Sequence, residues 1–71
     1  MSDSNLADVN LSGANLQNVS LVESSLLRAN LQNANLSGAL LIGTYLRDAN
    51  MQGVDLTGAV IRDADMTGVI K

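Results

Sequence analysis

The side chains able to do chemistry are few. Seven carboxylates (Asp3, Asp8, Glu23, Asp48, Asp55, Asp63 and Asp65) stand against four cations (Arg28, Arg47, Arg62 and Lys71). Asp63 and Asp65 come nearest to a cation site, but two surface carboxylates are ordinarily just solvated. There is no His, so the commonest general base and metal ligand is missing. There is no Cys, so neither a disulfide nor a thiolate metal site is available. Serines are present without a neighbouring base, and an active site needs a nucleophile, a tuned acid or base and a pocket. All six glycines are separated by multiples of five, which is not the spacing of a phosphate-cradling loop. The chain is therefore expected to be no enzyme, with no metal, no cofactor and no small-molecule substrate.

The elements that position these groups follow from one period. Leu, Met or Ile recurs at every fifth residue: Leu6, Leu11, Leu16, Leu21, Leu26, Leu31, Leu36, Leu41, Leu46, Met51, Leu56, Ile61 and Met66. We call this slot i. Slot i−2 is small or β-branched throughout, from Ser4 and Val9 to Ala64 and Val69, and every glycine lies at i+2. Five residues on a helix overshoot a full turn by ~140°, which scatters the leucines around the cylinder. On a flat strand an odd period sends them to alternate faces. A bend every five residues keeps i and i−2 inward, and Gly, Asn and Asp at i+2 are the residues such a corner requires.

Composition narrows the rest. The 71 residues suffice for one domain, taken as 1–71. Net charge is −3, which leaves no basic footprint for nucleic acid. The hydrophobic fraction of 46% and the mean hydropathy of +0.18 argue against disorder. No apolar run approaches the ~18 residues of a membrane span. The N-terminal Met-Ser-Asp-Ser-Asn has no signal-peptide pattern, so a cytoplasmic location is expected.

The segments Ala14-Asn15-Leu16-Gln17-Asn18, Ala29-Asn30-Leu31-Gln32-Asn33, Ala34-Asn35-Leu36-Ser37-Gly38 and Ala49-Asn50-Met51-Gln52-Gly53 resemble the signature of the pentapeptide-repeat family. The resemblance runs from about Ser4 to Val69. It implies an all-β fold: a right-handed quadrilateral β-helix, or β-solenoid, with four pentapeptides per coil and a little over three coils.

On that geometry the outward residues sort onto four faces, each numbered by its column of i residues. Face one is built on Leu6–Leu26–Leu46–Met66, face two on Leu11–Leu31–Met51, face three on Leu16–Leu36–Leu56 and face four on Leu21–Leu41–Ile61. Faces two and three are expected to be polar throughout, with Asn side chains bonding up and down their columns. Asp8, Arg28 and Asp48 share one corner column and are expected to form a carboxylate–guanidinium–carboxylate ladder. Faces four and one depart from the pattern. Val22, Leu40, Ile42 and Val60 fall on face four, Leu27 and Tyr45 on face one, and Arg47 and Arg62 border them.

This apolar cluster is the candidate protein-interaction site, with Tyr45 its best anchor because aromatics lead hot spots. Open solenoids need covered ends, and no capping helix is visible, so one or both ends are expected to be covered by another subunit. The expected function is a scaffold or interaction module that binds a protein partner or itself, as a dimer, through the patch or an open end. The alternative comes from the family alone: some members imitate duplex DNA and bind type II topoisomerases such as gyrase. Duplex DNA carries one charge per ~1.7 Å, so a ~16 Å rod would need roughly nine negative charges to imitate it. The net charge of −3 falls well short. Ice binding through Thr ladders is disfavoured, since Thr44, Thr57 and Thr67 share no single column.

Overall fold

Each core residue opens a tight turn. The carbonyl of Leu6 accepts from the N–H of Val9 at 3.2 Å, that of Leu31 from Ala34 at 2.9 Å and that of Met66 from Val69 at 3.2 Å, and the same bond recurs at every i slot between. At i+2 the backbone is left-handed, with φ between +57° and +76° from Asp3 to Gly68. A single positive φ in third place, closed by such a bond, is the geometry of a type II turn. In this computed structural model, which describes residues 2–71, the period of five is thus a turn repeated along the chain.

Between turns the chain pairs with itself. Parallel bridges join residues twenty apart, that is, four pentapeptides: Asn10 with Asn30, Asn30 with Asn50, Ser20 with Leu40, Leu40 with Val60, Tyr45 with Asp65. The ladder takes three of the five N–H groups in each repeat. Around Leu31, Asn30 donates to Val9 at 2.8 Å, Leu31 to Asn50 at 2.8 Å and Asn33 to Gln52 at 2.9 Å. The turn takes a fourth, and only the N–H at i+1 has no backbone acceptor in this scheme. A buried unpaired N–H would be costly, but this one lies at the outer rim, where a side chain or water can serve it.

The core follows the slots. Leu21, Leu26, Leu31, Leu36, Leu41 and Leu46 are fully buried, with Ala29, Ala34, Ala39 and Ala49 filling the space between. Two i−2 residues are polar and still fully buried. Thr44 Oγ1 donates to the carbonyl of Leu21 at 2.7 Å, and Ser24 Oγ accepts from the N–H of Ser4 at 3.1 Å. Ile61 departs from its expected inward place and is 44% exposed. It stands one layer above Leu41 in the same inward column. The molecule measures 20 × 20 × 17 Å along its principal axes.

Candidate interaction surface

The outer surface is decided at i+1 by what stands at i−1. On faces two and three that residue is Asn or Asp for almost the whole height. The Oδ1 atoms of Asn10, Asn30 and Asn50 accept from the N–H groups of Ser12, Gln32 and Gln52 at 3.0–3.1 Å. Those of Asn15 and Asn35 accept from Gln17 and Ser37. Asp55 accepts from both the N–H and the hydroxyl of Thr57, at 2.9 and 2.6 Å. The expectation that Asn would bond up its column is thereby corrected. The donor two residues along the chain is closer, and the side chain takes it in an Asx turn. Bonding between layers falls instead to i+1, where Gln32 Nε2 donates to Gln52 Oε1 at 3.1 Å and Gln17 Nε2 to Ser37 Oγ at 3.2 Å. Face two is also less polar than expected. Ile70, bridged to Asn50, ends its column 52% exposed.

Faces four and one lack this cap over their middle. Ser20, Leu40 and Val60 occupy i−1 on face four, and Ser25 and Tyr45 occupy it on face one. Among the described residues, the N–H groups of Val22, Leu27, Ile42, Arg47 and Arg62 find no protein acceptor. Of the six predicted site residues, Tyr45 is 55% and Leu40 39% exposed, while Val22, Leu27, Ile42 and Val60 are half-buried. Leu40 and Val60 are bridged neighbours. Leu27 and Tyr45 lie together in a shallow groove of about 310 Å³ lined also by Ser25, Arg47 and Asp65. The groove exists because Leu27 is short of the flanking Tyr45 and Arg47, and no sequence pattern reports side-chain height.

The charged groups are arranged around these faces. Arg47 Nη2 meets Asp65 Oδ2 at 2.9 Å across the groove. Asp65 also accepts from the hydroxyl and N–H of Thr67, and these bonds, first the hydroxyl, hold its carboxyl below the usual range, with Arg47 adding to the effect. The hydroxyl of Thr57 does the same for Asp55. The three-membered ladder reduces to a pair. Arg28 grips Asp8 with two bonds, at 2.8 and 3.0 Å, which lower the pKa of Asp8 and raise that of Arg28, while Asp48 acts on Arg28 only through space. The Nε–Nη2 edge of Arg28 is turned to Asp8, and no hydrogen bond from Arg28 to Asp48 forms. Arg62 and Glu23, both exposed, lie two layers apart on face four and take part in no ion pair among the described residues. No group of three potential metal-ligating side chains is found there, and no helix long and apolar enough to cross a membrane.

The fold has clear counterparts. The pentapeptide repeat protein Rfr23 from the cyanobacterium Cyanothece 51142 superimposes with a TM-score of 0.95 at 34% identity, over 99% of this chain and 48% of its own. A pentapeptide repeat protein from Nostoc PCC 7120 is 37% identical over 92% of this chain and 62% of its own, with a TM-score of 0.55. One from the Arabidopsis thaliana thylakoid lumen shares the fold at 24% identity and a TM-score of 0.57, over 96% of this chain and 65% of its own. The chain thus spans between about half and two thirds of the length of these relatives. No match is found among the curated proteins. The sequence model of the family, pentapeptide repeats in eight copies, matches residues 4–41 and 34–70. With nearly the whole length matched in sequence and structure, the chain belongs to the pentapeptide repeat family and folds as a right-handed β-helix.

Proposed function

We propose that the protein is a non-enzymatic interaction module, a four-sided rod of a little over three coils that binds protein through faces four and one. The observation that carries this reading is the exchange at i−1. Where the other faces place an Asn or Asp that caps the next N–H, these faces place Leu40, Val60 and Tyr45 and leave the N–H groups of Ile42, Arg62 and Arg47 to solvent. The exchange gives up a local bond and exposes apolar surface, a combination that a free-standing surface gains nothing from. Tyr45 supplies the anchor, Leu27 the floor of its groove, and the Arg47–Asp65 pair a polar rim.

The test is Tyr45→Asp combined with Leu40→Asp. Both sites are exposed, so the variant folds, and far-UV circular dichroism and melting check that it does. Mass in solution over a hundred-fold dilution series, and recovery of bound protein after cross-linking, are both expected to fall. Unchanged mass together with unchanged recovery rejects the surface.

A further inference from the structure

We infer that face one, with its two flanking corners, binds a basic peptide segment, one that carries an apolar side chain beside lysine or arginine. The inference rests on the reading of faces four and one as an interaction surface and names the chemistry of the partner for the second. Charge is spread unevenly around the rod. The corner Asp3–Glu23–Gly43–Asp63 precedes face one, the corner Asp8–Arg28–Asp48–Gly68 follows it, and Arg47 and Asp65 stand between them. This side holds six of the seven carboxylates and two of the four cations, a net side-chain charge of −4. The rest of the chain holds Asp55, Arg62 and Lys71, a net of +1. Both cations of the acidic side are already engaged, Arg28 by Asp8 and Arg47 by Asp65. Asp3, Glu23, Asp48 and Asp63 are exposed and take part in no ion pair among the described residues. Arg62 is next to Asp63 in the chain, but it stands on face four and pairs with none of them.

Acidic side chains alone make only a solvated surface, and it is what these enclose that points to a partner. The groove of about 310 Å³ lies on the same face, between Ser25, Tyr45 and Asp65 on one side and Leu27 and Arg47 on the other. An aliphatic side chain seats there on Leu27, against the Tyr45 ring. The N–H groups of Leu27 and Arg47 have no protein acceptor. One layer on, the corresponding N–H of Thr67 is met by Asp65 Oδ1 at 3.1 Å, and on face two that of Gln32 is met by the carboxamide oxygen of Asn30 at 3.0 Å. A peptide carbonyl offers an oxygen of the same kind. Being neutral, it serves these N–H groups without adding to the negative charge around them, as a carboxylate would. Glu23 and Asp63 stand two layers apart, roughly 10 Å, and Gly43 between them carries no side chain. A lysine or arginine next to the seated residue leaves the groove past Gly43 and lies between two unpaired carboxylates.

The test titrates the acetylated, amidated peptide Lys-Leu-Lys-Leu-Lys into isotope-labelled protein and follows the backbone amides by NMR. Saturable shifts centred on Leu27, Tyr45 and Arg47 are expected. Replacing the leucines of the peptide by serine, or its lysines by glutamate, is expected to weaken binding about tenfold. Tyr45→Asn removes the ring and places the usual cap over the N–H of Arg47, so it should keep the fold and weaken binding about tenfold. Glu23→Gln with Asp63→Asn alters two exposed side chains that have no partners and should weaken binding about fivefold at low salt, with the difference lost at high salt. No binding of the lysine peptide, equal binding of all three peptides, shifts centred on another face, or undiminished binding by either variant overturns the inference. The surface reading is judged separately, by the chain carrying Tyr45→Asp and Leu40→Asp. If recovery of cross-linked protein falls there while the lysine peptide fails to bind, the partner is not basic and the surface reading stands. If neither responds, both fall.

Discussion

On faces two and three, Asn10, Asn15, Asn30, Asn35, Asn50 and Asp55 each cap an N–H two residues on, whereas on face four Leu40 and Val60 hold the same slot and cap nothing. The ladder, the turn and the inward packing are common to both regions. The difference lies in a single outward side chain per repeat. Where the cap is present the surface satisfies itself. Where it is absent, the rod keeps its shape from ladder and core alone, and the outward slot is free for recognition. A repeat fold can therefore carry a binding face without disturbing its scaffold, provided that the face accepts a small loss of local stability.

Five substitution or titration experiments probe that contrast. The corner should prove least tolerant on the self-satisfied side. At Gly53 an added Cβ would run into Asn33 Oδ1 from the layer below, in a left-handed conformation that already disfavours it. Gly53→Ala is expected to lower stability by about 2–4 kcal/mol in urea denaturation. A loss under 1 kcal/mol would mean that the stacked corner gives way easily. On the apolar side the corner is already strained. Glu23 sits at φ +57° with no partner, so Glu23→Gly should raise stability by about 1 kcal/mol.

The cap itself is tested by moving it. Asn30→Ala removes an Asx bond and should cost about 1 kcal/mol. Leu40→Asn offers the missing acceptor to the N–H of Ile42 and is expected to stabilise the monomer by about 0.5–1 kcal/mol while weakening association. If Leu40→Asn destabilises the monomer, Leu40 is structural and the contrast between the faces collapses.

The smallest effect is set by pH. Asp8, Asp55 and Asp65 have carboxyls held below their ordinary value, the last two chiefly by Thr hydroxyls that they cap. A depressed pKa means that the folded state prefers the ionised form. The stabilisation is thus complete above the unfolded value of about 3.9 and is lost as pH falls through the folded values. Thermal midpoints should drop below about pH 4. Asp55→Asn with Asp65→Asn keeps an Oδ1 acceptor in each turn and should flatten that drop, leaving Asp8 with its lowered carboxyl pKa. An undiminished slope would move the titration away from the caps.

Much of this molecule was legible before its coordinates. The thirteen inward slots, the corners at i+2 and the family all follow from a period that neither a helix nor a flat strand can satisfy. Local geometry repeats with local sequence, and a type II turn needs nothing beyond five residues to be recognised. The corners even accept Glu23 and Arg28 at positive φ, because ladder bonds on both sides hold the backbone there. The six outward apolar residues were legible as departures from the pattern.

What only the tertiary structure decided concerns relations between layers and the heights of side chains. Column membership put Asp8, Arg28 and Asp48 together, but the reach of one guanidinium chose Asp8. It put Asn above Asn, but each amide turned to its own chain, since a donor two residues away is found without waiting for the next layer. Ile61 obeys the period and is exposed all the same, because burial needs a neighbour on both sides and a period specifies only one residue at a time. The groove beside Tyr45 arises in the same way: sequence determined which residues point outward, and stacking at twenty-residue intervals determined which of them meet.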